Sequence, residues 1–216
     1  MSVGKARCLV TGATGYIGGR LAPRLLEGGH AVRAMARNPN KLQRVGRSDR
    51  ADVVRGDREP DSLTAAFDGV DVVYYLVHSM GTAPNFVAEE ARSARNVVAA
   101  ARRAGARRLV YLSGLHPSGA NLSPHLRSRT AVGDILLESG IETVVLQAGI
   151  VIGSASASFE MIRHLTDRLP AMTAPKWVHN GLTGYRDAVV RALRCEPLPS
   201  DPDWAGPRFR LQTAQR

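Results

Sequence analysis

The residues best suited to chemistry lie near the start of the chain, in Thr11-Gly12-Ala13-Thr14-Gly15-Tyr16-Ile17-Gly18. Their glycines are spaced GxxGxxG between an apolar run and a segment of helical periodicity. In that setting Gly12 permits a tight turn, Gly15 lets the backbone approach a pyrophosphate, and Gly18 lets helix and strand pack closely. Free N–H groups at the helix start then face the anion. A site for NAD(H) carries Asp or Glu roughly 20 residues past the glycines, to bind the ribose 2′-OH. This chain has Arg37 at that place, and the next acidic residue is Asp49. A planar guanidinium suits a 2′-phosphate, and Lys41 adds a second positive charge. The expected cofactor is therefore NADP(H) rather than NAD(H). Arg33 is a weaker candidate because it falls inside a strand.

The elements that position these residues alternate. Apolar, β-branched runs predict strands at 7–11, 31–36, 52–54, 70–77, 108–112 and 142–147. Helical spacing, with Gly or Pro at the ends, predicts helices at 16–27, 60–67, 84–103, 124–139 and 156–168. Strands apolar on both faces, each followed by a helix, imply an α/β fold: a doubly wound parallel sheet of the Rossmann type. The pattern decays after about residue 170, where a Pro-rich, polar stretch holds one further helix at 185–194. The expected organisation is a dinucleotide-binding domain over 1–179 and a short C-terminal extension over 180–216.

Composition removes several alternatives. The 216 residues are 44% hydrophobic and 22% charged, which suits one globular domain and not a disordered tail. No apolar run reaches the roughly 20 residues needed to span a bilayer, and the N-terminus shows no leader-like apolar segment, so a cytoplasmic protein is expected. Cys8 and Cys195 are far apart, which supports neither a disulfide framework nor a metal site. The net charge of +10 raises the question of nucleic acid. Yet the only lysines are Lys5, Lys41 and Lys176, so the balance reads as an arginine bias. The densest group, Arg102, Arg103, Arg107 and Arg108, holds no aromatic residue for stacking bases. No nucleic-acid partner is expected.

The motifs TGATGYIGG, VRAMARNPNKL, VVRGD, GVDVVYYLVHSMG, ARNVVAAARRAGARRLVYLSGL and LSPHLRSRTAVGDIL occur in this order. Together they resemble the atypical short-chain dehydrogenase/reductases, and within them the NmrA-like NAD(P)H-binding proteins. The resemblance covers roughly 5–178. It implies that Gly12, Gly15 and Gly18 form the pyrophosphate loop and that Arg37 meets the 2′-phosphate. It implies further that Asp57 meets the adenine, that Val77 and His78 pass the nicotinamide ribose, and that Ser113 stands near the active-site serine or threonine.

Catalytic members of the family carry Tyr and Lys four residues apart at the start of the next helix. Here the aligned stretch is His125-Leu126-Arg127-Ser128-Arg129. His125 takes the Tyr position and Arg129 the Lys position. Histidine can serve as a general acid near neutral pH, and Arg129 can hold ribose hydroxyls; a polar first helical turn is the plainer alternative. The segment 198–206 resembles one that lies further along in relatives, so the chain reads as shortened at its C-terminal end. Trp177 and Trp204 then cover the crevice, drive homo-oligomer formation, or simply pack. Two functions remain open from the residues: an NADPH-dependent reductase of a small carbonyl or enone substrate, or a non-catalytic NADP(H) sensor or scaffold acting on a partner.

Overall fold

In the computed structural model, described residues are 5–43, 50–57, 59–77, 85–115, 122–148 and 210–212, with Ser156, Glu160 and His164. The elements in chain order are β1 (Arg7–Thr11), α1 (Gly18–Glu27), β2 (Ala31–Ala36), α2 (Asn40–Gln43), β3 (Asp52–Arg55), α3 (Pro60–Phe67), β4 (Val72–Tyr75), α4 (Phe86–Arg103), β5 (Arg108–Gly114), α5 (Pro124–Leu137), β6 (Glu142–Ala148) and β7 (Arg210–Gln212). The sheet order is β3-β2-β1-β4-β5-β6-β7. The first six strands are parallel, with flanking helices, as a Rossmann-like sheet requires. Its switch point lies between β1 and β4, which pair through Cys8–Val72, Leu9–Val73 and Val10–Tyr74.

Alternation along the strands divides the core. Leu9, Val73, Leu109 and Val145 point to one face, where they pack with Leu63 and Phe67 of α3, Val97 and Ala101 of α4, and Val132 and Leu136 of α5. On α1, buried Leu21 and Leu25 recur at the helical i,i+4 spacing, and this helix packs on β1 and β2. At the start of α5, Ser123 accepts a hydrogen bond from the Leu126 N–H, and Pro124 follows it. A Ser-Pro pair suits a helix start because proline has no N–H to leave unpaired.

The structure adjusts several expected bounds. α1 starts at Gly18 rather than at 16, because the glycine turn uses the intervening residues. β5 runs two residues beyond 112, which carries Ser113 and Gly114 into the strand. The Pro-rich tail contains β7, which pairs antiparallel with β6 through Val144–Leu211. Proline density hid that short strand. The chain divides into two units, 1–147 with 209–216, and 148–208. In the second, Glu160 and His164 are helical, and the Glu160 N–H donates to the Ser156 carbonyl at 2.9 Å. The expected boundary at 179, the helix at 185–194, Trp177 and Trp204 lie outside the described residues.

Candidate functional site

The glycine loop leaves the carboxyl end of β1 beside β4. Gly12 adopts φ +67°, and a Cβ there would sit 3.3 Å from the Leu76 carbonyl oxygen and 3.3 Å from Val77 Cγ2. A side chain at this position is disfavoured by both its backbone angle and its neighbours. At Gly18 a Cβ would lie 2.5 Å from the Gly12 carbonyl oxygen and 2.8 Å from Ala13 Cα. Only glycine lets α1 start so close under the loop. The Gly15 N–H closes the turn onto the Gly12 carbonyl at 2.9 Å. Ile17 caps α1 without any side-chain acceptor, and the first turn holds no acid. Among the described residues the N–H groups of Thr14, Tyr16, Ile17 and Gly18 have no partner. Unpaired donors at the positive end of a helix form an anion cradle.

Thr11 faces elsewhere. Its fully buried hydroxyl donates to the Tyr74 carbonyl at 3.1 Å and accepts from the Leu76 N–H at 3.0 Å. That side chain clamps β1 to the end of β4 and so holds Gly12 against Val77. Above the loop, the Arg20 guanidinium lies 3.8 Å from the centre of the Tyr16 ring.

Arg37 leaves β2 next to the loop, since Thr11 pairs with Met35 in register. It is exposed and its side chain has no hydrogen bond or ion pair among the described residues, and the same holds for the side chain of Lys41 on α2. Asp57 follows β3. Its Oδ1 accepts from the Ser62 hydroxyl at 2.6 Å and from the Glu59 N–H at 2.9 Å. These bonds, the Ser62 hydroxyl first, hold the carboxyl below its ordinary 3.8. Asp57 thus secures the turn into α3. The sequence reading missed Ser62 as its partner, although an Asp five residues before a helical Ser was visible.

The ends of β4 and β5 complete this edge. Val77 is half-buried against Gly12, whereas His78 lies outside the described residues. Ser113 is 2% exposed, and its hydroxyl has no partner among the described residues. A Cβ on Gly114 would lie 2.7 Å from Leu126 Cδ2 and 3.5 Å from Arg129 Cδ, so this glycine admits α5 to the end of β5. Arg129 therefore stands beside Gly114, the residue after Ser113. Its Nε is buried without a partner. His125, one turn earlier, packs its ring 6.3 Å from that of Phe86 on α4. The structure brings Arg129 to the strand end and turns His125 toward α4.

Sequence reading also missed a polar cluster behind Arg129. Glu90 of α4 is buried, and its Oε2 accepts from the Ser128 hydroxyl at 2.8 Å. Tyr111 and Tyr75 stack beside it with ring centres 5.8 Å apart. Burial pushes the Tyr111 phenol far above its ordinary range, the Arg129 charge works against that shift, and the Glu90 charge works with it. The sequence placed position 90 only within the predicted helix over 84–103.

Sheet order, switch-point loop and unpaired anion-binding donors define the class: a Rossmann-type dinucleotide-binding protein. A family described as NAD(P)H-binding matches residues 12–164, and the chain belongs to it. Cinnamoyl-CoA reductase 1 of Oryza sativa is 34% identical over 132 residues, covering 58% of this chain and 38% of that protein. Citrobacter triphenylmethane reductase, solved with NADP(H), matches with 26% identity and a TM-score of 0.56, over 66% of this chain and 49% of that one. An Escherichia coli NADPH-dependent quinone oxidoreductase, solved with NADPH, matches with 28% identity and a TM-score of 0.56, over 66% and 48%. The chain spans about half the length of these solved relatives and less of the plant one. The resemblance to atypical short-chain dehydrogenase/reductases holds at this level: an NAD(P)H-binding chain of the reductase type. Among the described residues no helix is long and apolar enough to cross a membrane.

Proposed function

We propose that this protein is an NADPH-dependent reductase of the NmrA-like branch, acting in the cytoplasm on a small conjugated carbonyl or enone. The observation that carries the reading is Arg37: an exposed, unpaired guanidinium ends β2 where an NAD(H) site would place a carboxylate. Quinones and cinnamoyl thioesters, named for two relatives, are conjugated carbonyl compounds and suggest the substrate class.

In this reading the domain over 1–179 binds the cofactor, and 180–216 is a short C-terminal extension. The loop Thr11 to Gly18 holds the pyrophosphate through backbone N–H groups, while the Thr11 side chain keeps the loop in place. Arg37 and Lys41 take the 2′-phosphate. The free Oδ2 of Asp57 faces the adenine, and Val77 with His78 borders the nicotinamide ribose. When bound, the cofactor supplies a hydride. Ser113 and Arg129 donate hydrogen bonds to oxygen atoms at the end of β5. His125, a water or Ser113 delivers the proton.

Calorimetric titration with NADPH and NADH, repeated on Arg37→Ala, tests the cofactor. Binding of NADPH is expected to weaken by about 1.5–3 kcal/mol in the variant, the scale of a lost charged hydrogen bond. NADH binding is expected to change little. Equal NADPH affinity in both proteins would sink the 2′-phosphate assignment. Turnover of NADPH with menadione, lowered in His125→Ala at unchanged NADPH affinity, tests the proton donor.

A further inference from the structure

The buried cluster between α4, α5 and the strand ends has no part in the cofactor contacts above. We propose that Glu90 is a positioning residue that, through its bond to Ser128, fixes the turn of α5 from which Arg129 reaches the end of β5. The proposal rests on the reading of Arg129 as a site residue.

Burial makes the choice of residue at position 90 informative. The neighbouring buried positions of α4 are Ser93, Ala94, Val97, Val98, Ala100 and Ala101. Glu90 is the one carboxylate among them and is 4% exposed. Desolvating a carboxylate costs several kcal/mol, to order of magnitude. A glutamine would accept the same hydrogen bond from Ser128 without that cost, so exchanging the two separates the bond from the charge.

The opposite charge stands one residue further along α5. Ser128 is 1% exposed and donates to Glu90 Oε2 at 2.8 Å. Arg129 follows, with its buried Nε lacking any partner and its side chain making no hydrogen bond or ion pair among the described residues. An arginine held without partners needs a nearby charge to keep it oriented. Glu90 holds the preceding residue, Ser128, and Gly114 leaves room for the Arg129 Cδ. The arrangement leaves the guanidinium's donors uncommitted at the strand end that also carries the unpaired Ser113 hydroxyl, where an oxygen-bearing ligand completes them. A direct Glu90–Arg129 fork would have satisfied the arginine and removed it from the site.

Glu90→Gln separates charge from hydrogen bonding. The full chain is compared with the variant by thermal melting, NADPH titration, NADPH turnover with menadione, and the ¹⁵N–¹H resonance of the Arg129 Nε–H group. In Glu90→Gln the melting temperature is expected to hold or rise, and the NADPH Kd to stay within about twofold. The kcat is expected to fall about tenfold, and the Arg129 Nε–H resonance to shift. Unchanged kcat with an unmoved resonance would overturn the proposal, and so would losses of stability, affinity and turnover in parallel. Should Glu90→Gln fail to fold, Ser128→Ala carries the same test: a shifted Arg129 resonance with a lowered kcat supports positioning, and neither change refutes it. The resonance is recorded without cofactor. Failure of the wild-type protein to bind NADPH would therefore overturn the reductase reading, while the resonance still decides the role of Glu90.

Discussion

Four arginines near the amino edge of the sheet are tied to acids or carbonyls, whereas the side chains of Arg37 and Arg129 at the carboxyl edge are not. Arg107 meets Asp71 at 3.3 Å, and Arg108 meets Glu142 at 2.6 Å. Arg102 donates to the Ser139 carbonyl through Nε at 2.9 Å and Nη2 at 2.6 Å, closing the end of α5. Arg33 pairs with Asp52 at 2.6 Å and donates to the Ala66 and Asp68 carbonyls at 3.1 and 2.9 Å, closing α3. At the other edge, the side chains of Arg37, Lys41 and Arg129 have no hydrogen bond or ion pair among the described residues. The helix dipole explains the difference. In a βαβ unit the helix C-termini gather at the amino edge of the strands, where cations satisfy exposed carbonyls. The helix N-termini gather at the carboxyl edge, where cations add to an already positive field and await an anion.

Gly18→Val should disturb this contrast most. Its Cβ would meet the Gly12 carbonyl oxygen at 2.5 Å, so the loop must move. NADPH affinity is expected to fall at least about 100-fold, with a stability loss of about 1–3 kcal/mol from overpacking, read by titration and thermal melting. Arg102→Ala acts at the opposite edge. It should cost about 1–2 kcal/mol in denaturant unfolding by uncapping the buried Ser139 carbonyl, and leave NADPH affinity within about twofold. A large change in affinity there would erase the division of labour between the edges. Arg107→Ala removes an exposed pair and should alter stability by about 0–1 kcal/mol.

The smallest effect is a pH effect at Asp57. Its carboxyl is held below the ordinary 3.8 in the folded protein, by the Ser62 hydroxyl first and the Glu59 N–H second. A depressed carboxylate contributes stability above its unfolded value and loses it as pH falls through the folded one. The wild-type protein should therefore unfold at slightly higher denaturant than Asp57→Asn at neutral pH. That gap should close below about pH 3.8. A gap that persists in acid would show that the hydrogen bonds, and not the charge, secure the turn.

Much of the carboxyl edge was legible beforehand. The glycine spacing, the strand before it and the helix after it predicted a turn whose geometry Gly12 and Gly18 both require. Six strands and their parallel, doubly wound arrangement followed from apolar runs and crossover handedness, while their order came from the structure. Less legible were roles that depend on partners distant in sequence. Thr11 belonged to the loop motif, yet its hydroxyl is turned into the sheet toward Tyr74 and Leu76. Arg33 stood out as a cation and proved to be a cap for α3. His125 stood at a catalytic position, and its ring neighbour is Phe86 of another helix. β7 pairs with β6 from about 65 residues away, a contact that no local pattern announces.

What the sequence by itself determined was whatever depends on near neighbours: the alternation of strands and helices, the glycine turn, and the cation in place of an acid at the end of β2. Backbone geometry and hydrophobic periodicity act over a few residues, and those distances are written in order along the chain. What only the tertiary structure decided was which charges remain unspent. Whether an arginine is capped, paired or left facing a crevice depends on carbonyls and carboxylates brought to it by the fold. The seat of Arg129, between Gly114 in front and the Glu90–Ser128 bond behind, exists only once α4 and α5 lie side by side against β5.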